Sequence, residues 1–287
     1  MPTPVEHLLK RWLRTGRYTS RHVATRAGRM HYFDSGRSGP ALVALHGVSS
    51  GASLMAPLLW KLAPHFDRVI APDMPGHGFS QAPERMELEG LYQASAELLD
   101  QALDAPSVLF GHSLGGALAV RYALERPERV TGLCLLSPAG APSPEDERQG
   151  WLDQFAMADH QASLAFVRRL YVDPPPYLPV VARACRFLFR RAPIQQLLDS
   201  ARANGALTLT AEEVAGLSVP IRFIWGDAET TMLPAHRAFW LEHLPGHAEI
   251  LTPPHFTHCP YLEHVGDVAQ LVSDFARTVP WRVEAAA

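Results

Sequence analysis

The chain has 287 residues, of which 47% are hydrophobic and 19% charged, and its formal net charge is −3. This length allows one large domain or one domain with an inserted lid, and the near-neutral charge predicts neither a nucleic-acid partner nor an acidic one. The cysteines at 134, 185 and 259 form no C-x-x-C pair, which argues against a disulfide framework and a zinc knuckle. Because there is also no long apolar run and no signal-peptide core, we expect a soluble, cytoplasmic protein that needs no cofactor.

Residues 1–16 are predicted to form an amphipathic N-terminal helix. Its apolar residues recur at helical spacing and its other face is basic, the apolar residues being Val5, Leu8, Leu9, Trp12 and Leu13. We expect this helix to dock on the body of the protein. The alternative is a peripheral contact of residues 3–14 with an anionic lipid surface.

The segment after this helix alternates between predicted strands and helices. Two strands of a hairpin are expected first, and the later apolar runs are typical of strands covered on both faces. The predicted strands are 18–26, 30–34, 41–45, 68–73, 108–110 and 130–136, with helices near 54–62, 88–103 and from 117. This order predicts an α/β fold with a doubly wound, mostly parallel sheet, whose functional sites lie beyond the carboxyl ends of the strands.

The stretch Gly111-His112-Ser113-Leu114-Gly115 follows one of these strands and precedes a helix. It matches the nucleophile elbow, in which glycines permit a sharp turn that lifts the serine hydroxyl clear of the backbone. The chain therefore resembles the α/β-hydrolase superfamily, and within it the capped serine esterases and relatives of monoacylglycerol lipase. The resemblance implies an eight-stranded type of sheet with a helical cap.

The same resemblance implies an oxyanion hole. In this superfamily a His-Gly pair at the position of His46 and Gly47 opens the oxyanion loop, so the backbone amides of Val48 and Leu114 are the expected donors. His46, Gly47, His112 and Ser137 follow strand ends and are the expected substrate contacts. In the later string 73–80, Asp73 and His77 are interpreted as packing residues rather than catalytic groups.

Residues 138–218 interrupt the alternation of strands and helices. This segment contains several prolines and predicted helices. Because an unstructured loop of this length is uncommon, we interpret the segment as a helical cap inserted into a hydrolase core of residues 17–137 and 219–287. The apolar residues of the segment, such as Trp151, Phe155, Leu197 and Leu198, are expected to form the core of the lid more often than substrate contacts. Six arginines could bind an anionic substrate, although solvated helix faces are the simpler interpretation: Arg168, Arg169, Arg183, Arg186, Arg190 and Arg191.

The superfamily's remaining catalytic groups have candidates in the C-terminal part. Its W-G-x-x-D string appears with Glu229 in the acid position, and Asp227 is the alternative. Its G-H-x-P-x-x-E string matches at His258, with His255 as the second candidate base. A metal site at this histidine pair is not expected, since the helix and third ligand of such zinc sites are missing.

The resemblance implies a carboxylic ester hydrolase with the triad Ser113, His258 and Glu229, acting through an acyl-enzyme on a small-molecule ester. Alternatives on the same triad are a diketone C–C bond hydrolase and a perhydrolase. A non-catalytic ligand-binding protein of the same fold is the alternative from another class. Dehalogenases and epoxide hydrolases are disfavoured because they carry an aspartate where Ser113 stands.

Overall fold

The computed structural model, which describes residues 2–36, 38–204 and 207–281, contains one eight-stranded sheet. Its strands are β1 (Thr19–Thr25), β2 (Gly28–Asp34), β3 (Leu42–Leu45), β4 (Val69–Pro72), β5 (Ser107–His112), β6 (Val130–Leu136), β7 (Ile221–Ile224) and β8 (Glu249–Leu251). Their spatial order is β1-β2-β4-β3-β5-β6-β7-β8. The β1–β2 and β2–β4 pairs are antiparallel and the other pairs are parallel. The predicted mostly parallel sheet is confirmed.

Helices cover both faces of the sheet. Those of the body are α1 (Pro4–Thr15), α2 (Ala56–Leu62), α3 (Leu88–Ala102) and α4 (Leu114–Glu125), followed after the insertion by α10 (Pro234–His243) and α11 (Val265–Thr278). Successive residues of β3 enter different apolar clusters: Val43 and Leu45 pack with α3 and α4, and Leu42 and Ala44 pack with α2 and α11. This alternation places one cluster on each face, because neighbouring side chains of a strand point to opposite sides.

The segment between β6 and β7 contains α5 (Glu145–Asp153), α6 (His160–Arg168), α7 (Leu178–Phe189), α8 (Ala192–Asn204) and α9 (Ala211–Ala215). Its first part forms an apolar cluster of its own, which includes Phe155, Phe166 and Phe189. The last part does not join this cluster, since Val214 and Leu217 pack into the core of the body. The helical cap is therefore shorter than the predicted 138–218, because α9 buries its apolar face against the sheet layer.

Helix α1 docks on the body through only part of the apolar stripe that its pattern predicts. Leu13 is fully buried, but Val5 and Leu8 are 53% and 67% exposed. Glu6 is buried instead, where it forms a capping box with Thr3. The part of the stripe that packs on the body therefore lies in the second half of the helix, at Leu9, Trp12 and Leu13. Within the described residues, no helix is both long and apolar enough to cross a membrane.

Candidate active site

Ser113 lies on the sharp turn between β5 and α4. Its backbone has φ 53° and ψ −119°, a strained conformation of the kind that clusters at functional sites. The glycines on either side are required by close backbone approach. A Cβ on Gly115 would lie 2.4 Å from the carbonyl oxygen of Leu45, and one on Gly111 would lie 2.5 Å from that of Gly115. The turn therefore projects the serine side chain beyond the carboxyl end of the sheet.

Two backbone amides beside Ser113 have no partner. Among the residues that the structure describes, neither the amide of Val48 nor that of Leu114 donates a hydrogen bond, and both residues line the same cavity as Ser113. Leu114 is also the first residue of α4, whose positive dipole end favours a developing negative charge. The two residues predicted to supply oxyanion donors are thus brought to the serine.

His46 holds the oxyanion loop in shape and does not line the cavity. The amide of Met74 donates to its Nε2 at 3.1 Å, so Nδ1 carries the proton and donates to the carbonyl of Gly47 at 2.8 Å. The ring is fully buried, and burial lowers its pKa, which keeps it neutral. Both ring nitrogens are thus used by the backbone, and the substrate contact of His46 stays a prediction.

A carboxylate holds the imidazole of His258. The distance from His258 Nδ1 to Glu229 Oε2 is 2.6 Å, and Oε1 of Glu229 accepts the amides of Thr231 and Met232 at 2.6 and 3.2 Å. Burial alone raises the pKa of Glu229, but the His258 ring and these hydrogen bonds lower it to about 2 overall. Glu229 is therefore ionised, and it fixes the tautomer of His258 in which Nε2 is free to accept a proton.

The alternative candidates at these two positions lie elsewhere. Asp227 is exposed, and its Oδ1 accepts the backbone amide of His255 at 2.7 Å. His255 itself is exposed, on the loop after β8 that also carries His258. Of the two acids considered, Glu229 is thus the one that binds His258.

His112 positions the segment that carries His258. Its Nε2 lies 2.8 Å from the backbone carbonyl of His258, so this nitrogen donates and Nδ1 accepts from the Tyr261 hydroxyl at 3.1 Å. The two histidine rings lie 4.8 Å apart between centroids. Burial is the main cause that lowers the pKa of His112, to about 3, so it adds no positive charge beside His258. These contacts use both ring nitrogens, and the substrate contact of His112 stays a prediction.

Ser113 and His258 are both nearly buried, and no hydrogen bond joins them among the described residues. Each residue is 7% exposed. The Ser113 hydroxyl has no hydrogen-bond partner among the residues that the structure describes. In enzymes without substrate such contacts are often long and tighten on binding.

An apolar cavity opens at Ser113 and runs between the sheet and the cap. Its interior offers about 150 Å³ to the centres of water-sized spheres, and its mouth is open to solvent. Gly47 and Ser137, two further predicted substrate contacts, are buried and do not line it; Ser137 instead lies against Glu229. The walls come mainly from the insertion and include Trp151, Phe155, Leu197 and Leu198, which were expected to form lid core.

Asp73 and His77 have the packing role that the sequence favours. Asp73 is fully buried and accepts the amides of Ala52 and Phe79 at 2.7 and 2.9 Å, while His31 binds it at 2.7 Å. Burial raises the pKa of this carboxyl, but the His31 contact outweighs it and the net shift is downward. His77 is equally buried, and neither residue lines the cavity.

Comparison with known proteins agrees with this architecture. The family model described as alpha/beta hydrolase fold matches residues 40–265. A pimeloyl-[acyl-carrier protein] methyl ester esterase of Yersinia enterocolitica is 30% identical over 246 residues, which are 82% of this chain and 93% of the relative. A putative lipase of Acinetobacter baumannii has a TM-score of 0.78 at 20% identity, with 96% of this chain and 97% of the other covered. The 2-hydroxy-6-oxo-6-phenylhexa-2,4-dienoate hydrolase of Rhodococcus sp. has a TM-score of 0.77 at 22% identity, with 91% and 99% covered. The predicted resemblance is confirmed, and the chain belongs to the α/β-hydrolase family.

Proposed function

We propose that the protein is a serine hydrolase that cleaves a carboxylic ester through an acyl-enzyme. The observations that support the proposal are a strained serine beside two backbone amides without partners among the described residues, and a histidine, His258, bound by a carboxylate. The methyl ester esterases to which the chain is similar support an ester as the substrate and make methyl esters the first compounds to test.

The proposed reaction assigns one role to each group. Ser113 Oγ attacks the ester carbonyl while His258 Nε2 takes its proton, and the amides of Val48 and Leu114 stabilise the oxyanion. His258 then protonates the leaving alcohol. A water activated by the same ring releases the acid and regenerates the serine. Glu229 stays ionised and stabilises the imidazolium in both steps.

The test is the labelling and turnover of Ser113→Ala. We expect the wild type to be labelled stoichiometrically by a fluorophosphonate and to hydrolyse methyl or p-nitrophenyl esters. The variant should lose the label and about 10³-fold or more of kcat, because the nucleophile is gone. An unchanged melting temperature would show that the fold persists.

Three other results would overturn the proposal. Turnover that persists in Ser113→Ala would mean that another residue is the nucleophile. A wild type that neither reacts nor turns over would favour a non-catalytic binding protein. Cleavage of a diketone in preference to every ester tested would favour the C–C bond hydrolase on the same residues.

A further inference from the structure

One charged side chain lines the catalytic cavity. Among the described residues that form its walls, Arg148 is the only arginine or lysine, and no aspartate or glutamate accompanies it. The other walls are mainly aliphatic and aromatic. A cation in such surroundings is costly unless something binds it, so its presence needs an explanation.

The side chain of Arg148 has no partner in the described part of the chain. Its Nε is buried without a hydrogen bond, and no carboxylate or carbonyl among the described residues contacts its guanidinium. Cap arginines of similar exposure are satisfied. Arg169 donates to the carbonyl of Thr230, and Arg186 donates to those of Met157 and Ala158. Arg148 thus differs from its neighbours in having donors that remain available.

The helix that carries Arg148 is anchored to the candidate triad. One turn after Arg148 in α5, the indole of Trp151 donates to the carbonyl of Thr231 at 2.8 Å, and Gln154 donates to the same oxygen at 3.1 Å. The amide of Thr231 in turn binds Glu229. Arg148 and Trp151 both line the cavity that Ser113 lines, so this anchor holds the helix that carries Arg148 at the cavity.

We propose that Arg148 binds a carboxylate at the far end of the substrate's acyl group, so that the preferred substrate is a monoester of a dicarboxylic acid. This inference rests on the proposed function. The planar guanidinium offers paired donors that match the two oxygens of a carboxylate, and the apolar walls between it and Ser113 suit a methylene chain. The length of the methylene chain determines which dicarboxylic acid is preferred, because the ester end is held at Ser113 and the carboxylate end at Arg148.

The test compares charged and neutral esters. The charged series is monomethyl glutarate, adipate, pimelate and suberate, and the neutral series is the methyl esters of unbranched monocarboxylic acids of the same lengths. We expect the wild type to prefer one charged length, and Arg148→Gln to reduce the charged-to-neutral ratio of kcat/KM by about 10- to 100-fold, the range of a charge-assisted hydrogen bond. Arg148→Lys should retain part of the preference.

Arg183→Gln is the matched control, because Arg183 is an exposed cap arginine outside the cavity. It should keep the wild-type ratio. A ratio that Arg148→Gln leaves unchanged would overturn the inference, as would an equal loss for both series, which would mark Arg148 as structural. Failure of the proposed function is distinguishable, since it would abolish neutral-ester turnover in the wild type as well.

A binding measurement keeps the inference testable without turnover. Free suberate, pimelate and adipate are titrated calorimetrically into Ser113→Ala and into Ser113→Ala combined with Arg148→Gln. We expect at least one diacid to bind the first variant about 10-fold or more tightly than the second, for the same physical reason. Equal affinities, or no binding to either variant, would overturn it.

Discussion

Glu229 stands where the superfamily string carries aspartate, and its surroundings explain how the longer side chain is accommodated. One carboxylate oxygen binds His258, and the other is held by the amides of Thr231 and Met232. The carboxylate of Glu229 is therefore held in one position despite the extra methylene. Three donors fix the carboxylate, and the position of His258 follows from it.

Exchanging Glu229 for glutamine tests this arrangement, because the exchange replaces one carboxylate oxygen by an amide nitrogen. Glu229→Gln keeps the size but offers an amide that no longer favours the correct tautomer or the imidazolium, so kcat should fall by about 10³- to 10⁴-fold. Asp227→Asn should stay near the wild-type rate, because Asp227 contacts only the loop backbone. Steady-state kinetics on a methyl ester decides, and the reverse order of effects would reassign the acid to Asp227.

At the scale of elements, α1 shows how a helix can be amphipathic and still bury only part of its stripe. Leu13 packs into the cluster under α2 and α11, and Trp12 stacks on Trp60 with centroids 5.0 Å apart. Leu8 stays 67% exposed on the outer side. The docked face thus lies in the second half of α1, while the lipid contact of residues 3–14 stays a prediction.

Two leucines of α1 provide a matched pair. Leu13→Ala should lower the free energy of unfolding by about 2–4 kcal/mol, since a fully buried leucine leaves a cavity when it is truncated. Leu8→Ala should change it by about 0.5 kcal/mol or less, because exposed positions contribute little. Urea denaturation measures both values. Equal losses would show that α1 is docked through a different face.

For the whole molecule, the ionised Glu229 couples stability to pH. Its pKa is about 2 in the folded protein against an ordinary value of 4.5, so the unfolded chain binds this proton more tightly. The stabilisation is fully present above the unfolded value and is lost as pH falls through the folded one.

We therefore expect the unfolding free energy of the wild type to fall more steeply than that of Glu229→Gln between pH 4.5 and pH 2. The difference in slope should reach up to about 1.4 kcal/mol per pH unit, the limit for one proton. Urea denaturation over a pH series measures both slopes. Parallel curves would contradict the ionised, hydrogen-bonded state of Glu229.

The sequence by itself determined the fold class, the strand order along the chain and the elbow at Ser113. These features follow from local sequence patterns. The patterns are buried apolar runs, glycines at the positions where a sharp turn needs them, and a histidine string at a characteristic spacing. The resemblance to the superfamily's strings nominated Val48, Leu114, Glu229 and His258 as site residues.

Only the tertiary structure decided which of those neighbours face the cavity. His46, Gly47, His112 and Ser137 occupy the expected edge but turn inward, where the histidines bind backbone groups and Ser137 lies against Glu229. Arg148 belongs to an insertion whose sequence position says nothing about its distance from Ser113. The direction of a side chain and the docking of α5 depend on packing between segments far apart in the chain, and local sequence patterns do not encode that packing.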